Sequence, residues 1–419
     1  MDARTPGILR IPEKSTVQIL ISALENNNDH HLMQATDVAE LATYISTLRG
    51  DEQEALVNEI APLLEANKTS EATKILLRES RALLEAPEKE FESAHNLLVA
   101  IALNDSDKAV LSQILKNLIS EPNQKTPIKF KVLSNIFNTV PANSPIRLEV
   151  FTAIVDLAVA SDDIDLVLPQ LQYVPSWLSE WGVGVEAERA LFLTLSDRLK
   201  ETGNQYQSLE FLLKYLTSFN GASGLDSQKA QATRAVVESL ALPEVLNFEN
   251  LLKIDAVQHL KGEKVYELLS VFMSGNVQDY RGLIAKNGGL IKELGLDEDE
   301  TLRKIRLLSL ASLGSENLSR ELSYQEIAKA LEIEESEVEL WVIDVIRAGL
   351  VEAKLNQVSK VVIISRSIYR TFGTAQWQQL SQRLNGWNQS LAEILQVIAN
   401  AKLTTGAAVS TAVITNNIN

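Results

Sequence analysis

Apolar residues recur at steps of three and four along most of this 419-residue chain, which is the spacing of one face of an α-helix. Up to residue 241 the apolar runs are separated by short polar or glycine-containing breaks, so each run predicts one helix. Pairs of these helices span about 35–40 residues, the length of a helix pair in a helical repeat. Because no consensus repeats, the pattern predicts a degenerate, right-handed α-solenoid. The predicted helices are 15–26, 37–48, 51–66, 70–86, 88–103, 107–120, 128–139, 145–160, 185–201, 205–219 and 227–241.

Residues 297–370 show a different order of elements. An acidic first turn, Asp297–Glu300, precedes a helix, and two sequences of the capping-box type, Ser323 to Glu326 and Ser336 to Glu339, mark the starts of two more. Two apolar runs joined by a turn then predict a β-hairpin. Helix, strand, helix, helix and hairpin is the order of a winged helix. After the first helix we predict a strand at 320–322, helices at 324–331 and 337–348, and strands at 350–355 and 360–364.

A strict heptad pattern follows the hairpin. Its steps alternate between three and four residues, which places all its apolar side chains on one stripe of a long helix. A single helix cannot bury such a stripe, so the stripe requires partner helices, either in this chain's own body or in other chains. Assembly with other chains is favoured because nothing upstream resembles a catalytic site. This seam consists of Trp377, Leu380, Leu384, Trp387, Leu391, Ile394 and Ile398.

The second strand of the hairpin suggests another interaction site. Val361, Val362, Ile363 and Ile364 form a short apolar strand whose edge is a candidate for pairing with a strand of a neighbouring protein. The alternative is an ordinary hairpin that the C-terminal helix covers.

Composition and charge narrow the possible functions. The chain is 45% hydrophobic and contains no cysteine, which suits a helical protein of the cytosol or nucleus. Its net charge of −16 opposes general attraction to nucleic acid or to anionic membranes. The third helix of the winged helix, which enters the major groove in DNA-binding versions, has Arg347 as its one base. Its acids and those of its approach are Glu332, Glu334, Glu335, Glu337, Glu339 and Asp344.

Two small clusters of bases remain as candidates for RNA contact. Lys125, Lys129 and Lys131 form one of them, and the other lies near the hairpin. A solvated surface is the alternative interpretation for both. The bases near the hairpin are Lys354, Lys360, Arg366 and Arg370.

No motif for catalysis is readable in the sequence. The four histidines include no His-x-x-x-His pair, and neither a phosphate-binding loop nor a Gly-x-Ser-x-Gly elbow is present. We therefore expect no catalytic, cofactor-binding or metal-binding residues, no cofactor and no small-molecule substrate. Residues 1–14 lack the apolar core of a secretory signal, and no stretch approaches about twenty uninterrupted apolar residues, so no membrane span is expected.

Several motifs between residues 245 and 395 resemble the PCI family, whose members occur in the proteasome lid, the COP9 signalosome and translation initiation factor 3. Within that family the resemblance is closest to one subunit of initiation factor 3. The matching motifs are Leu251-Leu252 with Asp255-Ala-Val-Gln-His-Leu-Lys-Gly262, Lys304-Ile-Arg-Leu-Leu308, Glu339-Leu-Trp-Val-Ile-Asp-Val-Ile-Arg347, Tyr369-Arg-Thr-Phe-Gly373, Gln376-Trp-Gln-Gln-Leu380 and Leu384-Asn-Gly-Trp387.

The resemblance implies a non-catalytic scaffold subunit of a large cytoplasmic complex. Such a subunit assembles with other PCI subunits and with MPN subunits, and the complex binds the 40S ribosomal subunit and promotes recruitment of messenger and initiator transfer RNA. A PCI subunit of the COP9 signalosome is the alternative within the family, and a winged-helix nucleic-acid binder is the alternative outside it. The expected regions are a helical-repeat region 1–204, a PCI domain 205–370 with a helical part 205–296 and a winged helix 297–370, a bundling helix 371–402, and a disordered tail 403–419.

Overall fold

The structure is a computed structural model in which helices account for most of the described residues. Contacts between backbone positions divide the chain into one unit that ends at Ser218 and a second that begins at Phe219. The predicted helix at 15–26 lies outside the described residues. The structure describes residues 30–50, 55–66, 68–104, 108–121, 124–221, 225–317, 319–371 and 373–415.

The first unit consists of consecutive helices joined by short connections, and their apolar faces form its core. Every helix predicted between residues 37 and 219 corresponds to a helix of the structure. The helices of the first unit, which include one that was not predicted (α8), are α1 (His30–Arg49), α2 (Ala55–Glu65), α3 (Thr69–Glu79), α4 (Glu88–Asn104), α5 (Lys108–Ile119), α6 (Thr126–Thr139), α7 (Ile146–Ala160), α8 (Val174–Trp181), α9 (Val185–Glu201) and α10 (Gln205–Thr217).

Helices α9 and α10 pack closely along a contact between two buried serines. Ser208 Oγ donates a hydrogen bond to the carbonyl oxygen of Ser196 at 2.7 Å, and the two hydroxyl oxygens lie 3.2 Å apart. Small side chains at both positions allow the two backbones to approach. This contact ties α10 to the first unit, so the division by contacts falls one helix after the predicted boundary between residues 204 and 205.

The sequence pattern predicts no element between residues 161 and 184. In the structure this segment forms two 3₁₀ turns, Ile164–Leu166 and Leu168–Tyr173, followed by α8. The short helix is fixed by its aromatic side chains. Trp177 and Trp181 stack at a centroid distance of 5.9 Å, and each lies between 5.6 and 6.1 Å from the rings of Phe137 and Phe151. Packing of aromatic rings therefore holds a segment of only eight residues, whose apolar positions Val174, Trp177, Leu178 and Trp181 have helical spacing.

The second unit begins with helices and ends with the winged helix and a long helix. The predicted fold class, an α-solenoid followed by a winged helix and a C-terminal helix, is confirmed. The elements are α11 (Lys229–Ala241), α12 (Glu249–Leu252), α13 (Asp255–Gln258), α14 (Lys264–Ser274), α15 (Val277–Lys286), α16 (Leu290–Glu293), α17 (Glu298–Glu316), β1 (Glu321–Ser323), α18 (Tyr324–Leu331), α19 (Val338–Arg347), β2 (Val351–Asn356), β3 (Val361–Ser367) and α20 (Thr374–Thr415).

The three strands form an antiparallel sheet in the order β1-β3-β2. Strand β3 is therefore the central strand: Ile363 pairs with Glu321 of β1 on one side and with Lys354 of β2 on the other. The prediction that Val361, Val362, Ile363 and Ile364 form an open edge is wrong, because β1 occupies the side that the hairpin leaves unpaired. The edges of this sheet belong to β1 and β2.

One of the two predicted capping boxes is present. Ser323 Oγ accepts a hydrogen bond from the backbone N–H of Glu326, whose carboxylate accepts one from the N–H of Ser323 at 2.9 Å. The box predicted at Ser336 is wrong, because α19 begins at Val338 without a side-chain cap. The carboxylate of Glu339 instead accepts hydrogen bonds from Tyr324 Oη and Gln357 Nε2.

The C-terminal helix is longer than expected. Helix α20 runs from Thr374 to Thr415, past the predicted end at residue 402 and into the segment for which a disordered tail is predicted. No proline interrupts this segment, and once a helix is nucleated each added residue costs little. Residues 416–419 of the predicted tail lie outside the described residues.

Lys304 of α17 is buried and caps the end of α11. Its Nζ donates to the carbonyl oxygens of Ser239 at 2.7 Å, Leu240 at 3.3 Å and Leu242 at 2.6 Å. The same Nζ lies 5.1 Å from the ring centroid of Phe248. Burial lowers the pKa of Lys304 to about 7. The ammonium thus satisfies carbonyl groups that a helix end leaves without partners.

We predict that Lys304→Met destabilises the second unit by about 1–3 kcal/mol, because it leaves buried carbonyl groups without a donor. Hydrogen exchange measured by mass spectrometry should show faster exchange in α11 and α17. Lys253→Met is the matched control, since Lys253 is exposed and forms an ion pair with Glu249 one helical turn away. Equal exchange in the two variants would contradict the capping role.

Candidate protein interaction surfaces

The seam of α20 is exposed along its whole length. The seven side chains predicted from the heptad pattern are between 39% and 65% exposed, so the described part of this chain does not bury them. Leu395 and Val397 are also exposed, although the heptad pattern excludes them. A continuous apolar stripe of this length on a soluble protein is typical of a protein interaction surface.

The start of α20 is attached to the second unit through Arg370. Its Nε donates to the carbonyl oxygen of Leu308 at 2.8 Å. Its Nη1 donates to the carbonyl oxygens of Gly275 at 2.6 Å and Phe272 at 3.4 Å. Burial lowers the pKa of Arg370 to about 10, and the nearby carboxylate of Glu316 opposes that shift. Arg370 therefore joins the segment before α20 to the end of α14 and to the middle of α17.

Strand β3 is also fixed against α17. Ser367 Oγ donates to the carbonyl oxygen of Ala311 at 2.7 Å. A Cβ atom at Gly314 would lie 2.8 Å from Cδ1 of Ile364, so glycine permits a close approach of α17 to β3. The segment that precedes α20 is thus held at two points, by Ser367 at the end of β3 and by Arg370.

The bases near the hairpin do not form one accessible cluster. Lys360 Nζ lies 2.7 Å from a carboxylate oxygen of Glu335, and Arg366 Nη1 lies 3.3 Å from one of Glu352. Arg370 is occupied by backbone carbonyl groups, which argues against its predicted role in RNA contact. Lys354 is exposed and forms no ion pair with any residue that the structure describes. An RNA contact at Lys354, Lys360 or Arg366 stays a prediction.

The second basic run is largely internal. Lys125 Nζ donates to the carbonyl oxygens of Leu84 at 2.8 Å and Ala86 at 2.6 Å. Lys129 is buried, and its Nζ donates to the carbonyl oxygen of Glu121 at 2.6 Å. Both lysines therefore serve the packing of the first unit, and their clustering in sequence does not produce a basic surface.

Comparison with known proteins identifies the family. The PCI domain model matches residues 284–366, and a model described as eIF3 subunit M, C-terminal helix, matches residues 370–398. Eukaryotic translation initiation factor 3 subunit M of Phaeosphaeria nodorum is 38% identical over 379 residues, which cover 87% of this chain and 86% of the relative. The chain belongs to the eukaryotic translation initiation factor 3 subunit M family.

Two further relatives with the same name are similar over comparable lengths. That of Dictyostelium discoideum is 35% identical over 382 residues, covering 87% of this chain and 94% of the relative. That of Schizosaccharomyces pombe is 33% identical over 367 residues, covering 86% of this chain and 89% of the relative. These matches confirm the resemblance that the motifs indicate. The C-terminal helix match includes Arg370 and the entire seam, and the PCI match covers the winged helix from its first helix to residue 366.

Two observations bear on other classes of site. Among the described residues, no group of three or more histidine, aspartate or glutamate side chains is placed to hold a metal ion. None of the helices in the described ranges combines the length and apolar character needed to cross a membrane.

We predict that Arg370 sets the direction of α20. Because the chain has no cysteine, spin labels can be placed at Val358→Cys and Ser390→Cys without other changes. Arg370→Met should broaden the distance distribution between these labels, since three carbonyl groups lose their donor. Arg366→Met is the matched control, because Arg366 is exposed and its ion pair lies at the surface.

An unchanged distribution in Arg370→Met would show that other contacts orient the helix. Helical circular dichroism of both variants checks that any broadening arises in a folded chain.

Proposed function

We propose that this chain is a non-catalytic scaffold subunit of translation initiation factor 3, and that the seam of α20 joins it to other subunits. The observation that carries the proposal is the exposed seam, which lies within the segment matched by the subunit M C-terminal helix model. Packing of such a stripe requires further helices with complementary stripes. Other PCI and MPN subunits of the factor are the partners that we expect to supply them.

The proposed role in translation is indirect. Assembled into the factor, the chain supports binding of the 40S ribosomal subunit and recruitment of messenger and initiator transfer RNA in the cytoplasm. The acidic third helix of the winged helix supports this indirect role, since its carboxylates would repel phosphates in a groove. We expect neither catalysis nor a cofactor.

The proposal predicts that Trp387→Asp leaves the chain folded but releases it from the complex. A charge in place of an aromatic anchor should cost about 2–4 kcal/mol of binding free energy. Helical circular dichroism checks the fold, and co-sedimentation with the complex from cell extract checks assembly. Gln389→Asp is the control: it introduces the same charge about 200° around the helix from Trp387.

Full co-sedimentation of Trp387→Asp would show that the seam is not the attachment site. The identity of the complex is tested separately, by affinity purification of the tagged chain and mass spectrometry of bound proteins. Initiation factor 3 subunits with 40S proteins are expected. Signalosome subunits without ribosomal proteins would overturn the assignment to translation and keep the scaffold role.

A further inference from the structure

The third helix of the winged helix presents an apolar pair to solvent. Leu340 is 67% exposed and Ile343 is 37% exposed, and their spacing of three residues makes them neighbours on one face of α19. The opposite face is buried through Val338, Val342 and Val345. The core of the winged helix therefore does not account for the outward apolar pair.

The turn between β2 and β3 is attached beside this pair. Gln357 Nε2 donates to a carboxylate oxygen of Glu339 at 3.1 Å, and Lys360 Nζ donates to one of Glu335 at 2.7 Å. In the sequence Val358 lies between Gln357 and Lys360, and its side chain is 98% exposed. Leu340, Ile343 and Val358 are called the α19 surface below.

Charges at the two ends of α19 have opposite signs. Glu334 and Glu337 are exposed before the apolar pair, and neither forms an ion pair with a residue in the described ranges. Arg347 is exposed after the pair and likewise forms no ion pair with a described residue. Asp344 is neutralised by Arg303 at 3.0 Å. The face thus runs from acid through apolar to basic.

This charge pattern indicates which class of molecule the α19 surface binds. A nucleic acid would bring phosphates to Glu334 and Glu337, which repel them. A second copy would bring together two chains that each carry a net charge of −16, over a helix of ten residues. A segment of another protein with bases at one end meets neither obstacle.

We propose that the α19 surface binds an amphipathic helix of another protein, with apolar residues against Leu340, Ile343 and Val358 and with lysine or arginine beside Glu334 and Glu337. The charges fix the direction of the bound helix, because its basic end must lie at the start of α19 and away from Arg347. The inference rests on the proposed function, because the partner is expected within the assembled complex.

The test places a photo-crosslinking residue, p-benzoylphenylalanine, at Leu340 of the full chain. The complex is purified after assembly in cells, irradiated and analysed by mass spectrometry. The same residue at exposed Tyr206 is the control for non-specific crosslinking. The expected product joins position 340 to an amphipathic peptide of another subunit that contains at least two bases. A crosslink to a second copy, to RNA or to an acidic peptide overturns the inference, as does a yield no higher than the control's.

Charge reversal tests the electrostatic part. Glu334→Lys with Glu337→Lys should lower the crosslink yield at Leu340 by about ten-fold. Glu210→Lys with Glu244→Lys makes the same change in net charge at exposed positions elsewhere and should leave the yield unchanged. Exchanging the bases of the crosslinked peptide for glutamate should restore the yield of the first variant. An unchanged yield after reversal, or no restoration, contradicts the proposed pairing.

The two proposals fail in distinguishable ways. If the seam proposal is wrong, Trp387→Asp still co-sediments with its complex. If the present inference is wrong, the complex assembles normally and position 340 gives one of the contradicting crosslink results.

Discussion

The C-terminal end of an α-helix leaves backbone carbonyl groups without intrahelical partners, and in the part of the chain that the structure describes several cations that are buried or half-buried donate to such groups. Lys304 does so at the end of α11 and Arg370 at the end of α14. In the first unit, Lys125 and Lys129 donate to carbonyl groups of the segments that follow α3 and α5. Lys304, Arg370 and Lys125 link elements that are distant in sequence, whereas Lys129 donates to a residue eight positions earlier. A chain built from many short helices depends on such links, because apolar packing alone leaves the helix ends unsatisfied.

This constraint changes how the bases of the sequence are interpreted. In a protein with a net charge of −16, a local run of lysine and arginine suggests a nucleic-acid surface. Three of the positions so suggested, Lys125, Lys129 and Arg370, instead donate to carbonyl groups inside the protein. The exposed seam of α20 and the acidic third helix of the winged helix remain as candidate surfaces, and both favour proteins as partners.

The periodic parts of the structure were readable from the sequence, and the pairings between distant residues were not. The helices and the seam follow from spacing along one helix. The central position of β3 depends on pairing with β1, which is about forty residues earlier. Its continuous apolar run, Val361–Ile364, fits a strand with neighbours on both sides. Helix α8 is harder to predict because it has only eight residues, and its packing depends on Phe137 and Phe151, which are distant in sequence.

The two exposed apolar features suit different tasks in one assembly. The seam is long, and its seven residues are uncharged. Burial of its apolar area would therefore contribute binding free energy but little selectivity between partners. The α19 surface is small, and its flanking charges discriminate between partners and between orientations. Arg370 and Ser367 attach the start of α20 to α17, and α18 and α19 also pack against α17, so both features are held on that helix.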